Sequence, residues 1–516
     1  DIFRSEGVHY TSRDWNLKGY QGMLNPYRND PGQPYYIVSE NVGISVYTPG
    51  GLITSGALKG TYFGTNGAVN QLDYGVAAGN WMLGGDWDYA TSGIRGTNSL
   101  AADNARDSLF GRASYMLTPS TEVFFQASQA SYEGESYYIN PTDRNRRIYA
   151  DNAYLPQSIK DGLAAAGEDS FLLGTSNEDM PASGSNNTRT TTRYVAGANG
   201  SFDLVGLGWD WDVYYQSGIT ETDEHQFPTY NFAALTLATD AVVDPASGDI
   251  VCRSTLSDTS NACVPLNRFG VGVASEAGLD YVMGRPRREQ EFTQDVAALN
   301  FSTSDIQGWA GPISLAFGAE WRQDSIDGKV DPIYDSGWKY GNYKVTTGEV
   351  DVAEAYVETV FSVFEGLEFN GAARYTEYSE SGGVTTWKAG LTYTPIDDIT
   401  FRATKSRDIR APNLSELFDQ GTARTNAVNI NGTSQAFVQS LKGSTAVGPE
   451  EADTIGLGLV YQSSMLDGFS AAIDYFDIEV DGLISFVGAQ SVADFCYFDK
   501  VQRYCDNIIF KDNVLS

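Results

Sequence analysis

The sequence is poor in the residue types on which most catalytic and metal sites depend. Its 516 residues include only two histidines, His9 and His225, and four cysteines. No Ser-His-Asp or Cys-His arrangement can be identified around these two histidines, and no Cys-x-x-Cys spacing indicates a zinc site. The sequence therefore predicts a protein that is not an enzyme and that uses neither a metal nor a cofactor.

Basic residues and long apolar runs are also scarce. Lys plus Arg number 34 against 66 Asp plus Glu, which gives a formal net charge of −32. Phosphate binding needs clustered lysines and arginines, so this balance excludes nucleic acid as a partner. The chain lacks an apolar run of about 18 residues, which excludes a transmembrane helix but leaves membrane-crossing strands possible.

The four cysteines form two local pairs, Cys252 with Cys263 and Cys496 with Cys505. This spacing favours two short-loop disulfides and hence an oxidising compartment. The alternative is a set of four free, buried thiols.

Glycine and aromatic residues are abundant: the chain contains 54 Gly, 31 Tyr and 25 Phe. This composition favours β structure with many turns. Apolar and polar side chains also alternate with a period of two, as in VAEAYVETVFSV at 352–363. Such alternation predicts strands with one apolar face. It recurs at 109–117, 123–129, 192–198, 209–217, 313–321, 367–376, 387–393, 399–404, 453–461 and 469–475.

The connections between these segments alternate in length. Short turns such as 118–121 and 364–366 alternate with long connections, which we place at 131–190, 219–290, 323–348 and 407–450. The link at 379–383 is the exception, because it is short although it lies on the side of the long loops. Short turns at one end and long loops at the other are typical of an outer-membrane barrel. A soluble β-sandwich also alternates, but its strands usually contain about five or six residues. The predicted fold is therefore all-β: a transmembrane antiparallel β-barrel with long extracellular loops.

One strand of this barrel runs into a charged segment, KSRDIRAPNLSELF at 405–418. SRDIRAPNLSELF resembles a segment of TonB-dependent outer-membrane receptors of the proteobacterial type. Three other stretches resemble the same family: 50–69, 248–270, and 447–462 with 469–485. The residues of the family motif, which we place at the barrel mouth, are Arg407, Asp408, Arg410, Pro412, Asn413, Glu416 and Phe418.

The resemblance implies a barrel of about 22 strands plugged by an N-terminal domain. It implies energised uptake of a scarce nutrient, such as a siderophore, cobalamin or a carbohydrate-like ligand, across the outer membrane of a Gram-negative cell. The implied partners are a TonB-type energy-transducing complex, the nutrient, and outer-membrane lipid with lipopolysaccharide. We count about twelve to fourteen strands, so residues 1–516 are expected to be a barrel region incomplete at both ends. A passive, porin-type channel is the alternative function.

The roles of the charged residues stay open at this stage. Arg407 and Arg410 either contact plug or ligand, or pair with lumen carboxylates such as Glu354 and Glu358, and we favour the pairing because an enclosed charge needs a partner. The basic segment 140–149 either binds an anionic substrate or lipopolysaccharide phosphate, or forms an exposed salt-bridged loop, which we favour. Residues 155–167 predict a short helix, and the glycines of 60–67 predict turns.

Overall fold

A computed structural model of the protein describes residues 1–14, 20–86, 98–138, 140–258, 260–421, 423–430, 433–466, 468–511 and 514–515. Thirteen strands form one antiparallel sheet, and each strand pairs with the next of the set along the chain. They are β1 (Ile2–Ser5), β2 (Asp103–Thr118), β3 (Thr121–Tyr137), β4 (Gly184–Leu204), β5 (Leu207–Gln226), β6 (Arg287–Gln307), β7 (Pro312–Val330), β8 (Thr347–Phe364), β9 (Leu367–Tyr378), β10 (Gly382–Ile396), β11 (Ile399–Arg410), β12 (Glu450–Gln462) and β13 (Ser470–Asp481).

These strands are longer than the alternation alone predicts. β4 and β6 contain 21 residues each, about twice the 9–11 residues of a tilted membrane-crossing strand. The predicted long loops therefore include too many residues, because the strands continue beyond the alternating segments. The four predicted long connections run from 138 to 183, 227 to 286, 331 to 346 and 411 to 449, and a fifth, from 6 to 102, joins β1 to β2.

The two faces of the sheet differ as predicted. Phe401 on β11 lies opposite Tyr393 and Leu459 on the neighbouring strands, so apolar residues form continuous rows. On the other face, Arg402 forms an ion pair with Asp474 across two strands, at 2.8 Å. The alternation thus corresponds to one apolar face and one polar face.

The remaining elements lie mostly between the long strands. The helices are α1 (Gln157–Ala166), α2 (Phe232–Thr239), α3 (Glu276–Val282), α4 (Leu414–Phe418), α5 (Ala489–Tyr497) and α6 (Gln502–Cys505), with 3₁₀ turns at Tyr10–Ser12, Arg253–Leu256 and Pro332–Tyr334. None of the helices in the described ranges has the length and apolarity needed to cross a membrane.

Short strands complete the structure. They are Val8–His9, Gln21–Leu24, Tyr36–Ser39, Val42–Ile44, Leu52–Ile53, Thr61–Phe63, Val69–Gln71, Val76–Ala78, Trp81–Leu83, Ser99–Ala101, Asp143–Tyr149, Ser170–Thr175, Thr229–Tyr230, Ala241–Val243, Ile250–Cys252, Met283–Gly284, Ala423–Ile430, Thr433–Ser440, Phe510–Lys511 and Val514–Leu515.

The largest buried apolar cluster lies in the connections rather than in the long sheet. Five short strands form a second sheet here, in the order 143–149, 170–175, 52–53, 61–63 and 69–71. Its buried side chains pack against the predicted helix, α1, which contributes Ile159 and Leu163. The 60–67 segment is therefore not turns alone: Thr61–Phe63 is a strand, and the turn follows at Asn66 and Gly67, which both have positive φ.

Candidate functional site

The charged motif begins inside the long sheet rather than after it. β11 continues through Arg410, whose last ladder partner is Glu450 on β12. Pro412 follows two residues later, and because it has no backbone N–H it cannot extend the ladder. Arg407, Asp408 and Arg410 therefore occupy fixed positions at the long-loop end of a strand.

Arg407 lies on the same face as Phe401 and Ala403, the apolar face. Its guanidinium nitrogens reach Asp453 at 2.6 Å and Glu451 at 3.1 Å, both on β12. At this end of the sheet the apolar face has thus become charged.

Both arginines pair with carboxylates, as predicted, but the expected partners Glu354 and Glu358 are wrong. Glu354 instead pairs with Arg374 on the adjacent strand, at 2.8 Å. Both motif arginines take carboxylates that are nearer to them in the sheet register or in the motif itself.

Arg410 points to the polar face and is held between two carboxylates. Nη1 donates to Glu416 at 2.9 Å, and Nη2 donates to Glu450 at 2.8 Å. The hydrogen bond from Arg410 to Glu416 lowers the pKa of this carboxyl below its usual value. The pair joins the end of β11 to the helix that follows.

Asn413 and Glu416 start α4 as a capping box. The Asn413 side chain accepts a hydrogen bond from the Glu416 N–H, and Glu416 Oε2 accepts one from the Asn413 N–H, both at 2.9 Å. An Asn-x-x-Glu sequence is a recognised helix-start signal. The start of this helix was therefore readable from the sequence, although the period-two alternation gives no sign of it.

Helix α4 folds back onto the polar face of β8. Leu414 and Leu417 bury against Val350 and Val352 there. Phe418 approaches so closely that a Cβ at Gly348 would lie 2.2 Å from its ring. The motif therefore consists of a charged strand end followed by a helix packed against the inner wall.

A buried ion cluster joins two of the long connections, 138–183 and 227–286. Arg268 donates to Asp143 at 2.7 Å and to Asn177 at 2.6 Å, and Arg146 donates to Asp143 at 2.9 Å. Burial raises the pKa of Asp143, but the two guanidinium groups outweigh it, so the pKa is lowered. This carboxylate therefore stays ionised between its two arginines.

The basic segment 140–149 fits its predicted salt-bridged form only in part. Arg146 is paired, but in a partly buried rather than an exposed position. Arg144 instead lies over the Tyr47 ring, 5.0 Å from its centroid, and Arg147 donates to the Ser170 hydroxyl at 2.9 Å.

The cysteines form the two short-loop disulfides that their spacing favours. Cys252 is bonded to Cys263, and Cys496 to Cys505. The first disulfide is close in sequence to Arg268 of the buried ion cluster, and the second links α5 to α6.

Comparison with known proteins identifies this architecture. Residues 128–508 match the family model for TonB dependent receptor-like β-barrels. The chain belongs to the TonB-dependent receptor family. The motif at 405–418 and the resembling segments 248–270 and 447–485 lie inside the matched range, whereas 50–69 precedes it.

No curated protein matches the receptor chain. Among solved structures, it is similar to a mutant of the ferric enterobactin receptor of Pseudomonas aeruginosa, at 14% identity and a TM-score of 0.44, with 75% of this chain and 44% of that chain covered. The siderophore receptor PirA of Acinetobacter baumannii is 16% identical, with a TM-score of 0.41 and coverage of 74% and 43%. The RagAB peptide transporter is 11% identical, with a TM-score of 0.39 and coverage of 73% and 40%.

The chain thus spans less than half the length of each of these solved proteins. Its long sheet has thirteen strands, fewer than the 22 or so of a complete plugged transporter barrel. Within the described ranges, β1 and β13 each have one partner in this sheet and are its edges.

Proposed function

We propose that the parent protein is an outer-membrane receptor that imports a scarce nutrient by TonB-dependent uptake. The observation that carries the proposal is the family match over 128–508. The alternation of an apolar face with a polar face supports it, because a barrel wall must meet lipid on one side and an aqueous lumen on the other.

On this proposal, residues 1–516 are part of the barrel region of a longer chain. A plug region elsewhere in the parent would contact the TonB-type complex of the inner membrane. The apolar face would meet outer-membrane lipid and lipopolysaccharide. The nutrient, of the siderophore, cobalamin or carbohydrate-like kind, would enter from the side of the long connections.

The proposal is tested by separating binding from transport. Cells that express the full-length parent should take up its nutrient only while the proton gradient is intact. An uncoupler should stop uptake while binding to the cell surface persists. A strain without the gene is the control for uptake by other routes. Undiminished, gene-dependent uptake in the presence of uncoupler would instead identify a passive channel of porin type.

A further inference from the structure

A pocket of about 640 Å³ opens between two of the long connections. One wall is the basic strand Asp143–Tyr149, and the other comes from α2 and the 3₁₀ turn at Arg253–Leu256. Its volume lies in the range of small-molecule sites, roughly 300–1,000 Å³. The motif at the end of β11 contributes no residue to its lining.

The charge of this pocket is opposite to that of the protein. Four arginines and two aspartates line it, namely Arg144, Arg146, Arg147, Arg253, Asp143 and Asp240. The lining thus has a formal charge of four minus two, or +2, in a chain whose net charge is −32. A local excess of positive charge attracts anions against the general field of the molecule.

The backbone turns successive arginines toward the pocket. The ladder between 143–149 and 170–175 shifts register between Asp143 and Arg146, so the strand contains a bulge. Asn145, inside the bulge, has φ +58°. Bulges re-aim side chains that would otherwise alternate between the two faces.

Two of the arginines are fixed by carboxylates. Arg146 pairs with Asp143, and Arg253 is held by Asp151 at 2.6 Å and by Asp240 at 3.0 Å. The Arg253 guanidinium also lies over the Tyr149 ring, at 5.4 Å. These contacts hold the Arg146 and Arg253 guanidinium groups in place and leave little of their charge for a ligand.

Arg144 and Arg147 differ from them. In the part of the chain that the structure describes, Arg144 makes neither a hydrogen bond nor an ion pair; it lies over the Tyr47 ring. Burial and, to a lesser extent, the nearby charge of Arg144 lower the pKa of the Lys339 amine. Arg147 makes one hydrogen bond, to Ser170. Both are exposed. A guanidinium has five N–H donors in a planar fork that fits carboxylate and phosphate oxygens. Most of these donors are therefore available to a ligand.

We propose that this pocket binds a small molecule with two oxyanionic groups, carboxylate or phosphate, through Arg144 and Arg147. Two guanidinium groups on one wall of the pocket suit two anionic groups on one ligand, because each guanidinium can form a bidentate, charge-assisted pair with an oxyanion. The inference deepens the proposed function by naming the ligand class of the receptor. It does not require energised transport, because the site is complete within the long connections.

The test is equilibrium binding of citrate and of pyrophosphate to the purified full-length receptor in detergent. Both probes should bind, more weakly as salt is raised. Arg144→Gln with Arg147→Gln should weaken binding by roughly tenfold or more, because two hydrogen-bonding charges are lost. The lysine pair at the same positions should bind with intermediate affinity, because charge remains without the fork.

Arg112→Gln is the matched control, since Arg112 is also an exposed arginine, on β2, and pairs with Glu122. It should leave affinity unchanged. Absence of binding by the unaltered receptor, or equal affinity of control and double variant, would overturn the proposal. If lipid A micelles bind to the receptor but neither citrate nor pyrophosphate does, the site belongs to a lipid headgroup and the proposal is overturned as well. Because no energy source is present, none of these results bears on uncoupler-sensitive uptake.

Discussion

Ala403 and Thr404 are neighbours on β11 that point to opposite faces of the sheet. Ala403 lies on the apolar face, with a leucine opposite it on each adjacent strand. Thr404 lies on the polar face, with a glycine opposite it on each adjacent strand. Ala403→Arg would place a charge among apolar side chains, whereas Thr404→Arg would place it where there is room and water. We expect the first substitution alone to destabilise the assembled receptor.

The size of the effect follows from the position along the strand. Lys405 is the next residue on the face of Ala403, so the charged end begins two residues away. At about 3.3 Å per residue and a tilt of about 45°, Ala403 lies roughly 5 Å inside that boundary. Arginine on the lipid face costs about 2–4 kcal/mol at the midplane and about 0–1 kcal/mol near the interface. Ala403→Arg should therefore cost about 1–2 kcal/mol.

The measurement is the free energy of unfolding of the full-length receptor in lipid vesicles, with Thr404→Arg as the control. A soluble sheet with a buried apolar face would also penalise Ala403→Arg, so a second readout is needed. A spin label at 403 should be relaxed by lipid-soluble oxygen, and one at 404 by a water-soluble nickel chelate. Reversed preferences, or the chelate at both positions, would refute the assignment of faces.

Three further outcomes are expected. Glu416→Gln should lower the protection factors for hydrogen exchange in α4. Because Arg410 lowers the pKa of Glu416, the protection should be present above the usual pKa of about 4.3 and fade as pH falls below it. Protection factors that do not change with pH would contradict this. Asp143→Asn should lower the stability of the long connections by about 3–5 kcal/mol, because it leaves buried guanidinium groups unpaired. Proteolysis of these connections measures the effect. The control is Asp151→Asn, at an exposed pair, which should cost about 0–1 kcal/mol. Mass spectrometry of unreduced receptor should find both disulfides, each contributing roughly 2–3 kcal/mol; four alkylatable thiols would show that they are absent.

The faces of the long strands could be predicted because alternation is a local property of extended backbone. The ends of the strands could not. At 131–137 and 184–190 the sequence is polar on both faces, so no periodic signal marks a strand, yet the ladder between β3 and β4 continues there. Backbone pairing does not require an apolar face once the strands leave the lipid.

The alternation does not predict strand β6, for a different reason. Val296–Leu299 is a run of consecutive apolar residues, so the alternation is lost in the middle of the strand. Side chains on the polar face there, Val296 and Ala298, are buried. A strand that is apolar on both faces gives a continuous apolar run, which periodicity does not separate from a helix.

The partners of the motif arginines depend on register, which is not local. The alternation along β11 already places Arg407 on the same face as Phe401 and Ala403. This is the face opposite to that of the lumen carboxylates, so the sequence alone argues against their pairing. Its partner Asp453 is 46 residues away in the chain, and only the pairing of β11 with β12 brings the two together. The Asn-x-x-Glu signal, by contrast, is local and is visible in the sequence.

The physical role of the motif follows from an apolar stretch on the polar face of β8, near the long-loop end of that strand. Val350 and Val352 share the face of Glu354 and would be exposed to the lumen without a cover, and α4 supplies it with Leu414 and Leu417. Because Arg410 ties the same helix to the ends of β11 and β12, the chain cannot leave the sheet freely at this point. We infer that the charged strand end and the capped helix act together to hold the following long connection against the inner wall, so its position relative to the lumen is set by the motif.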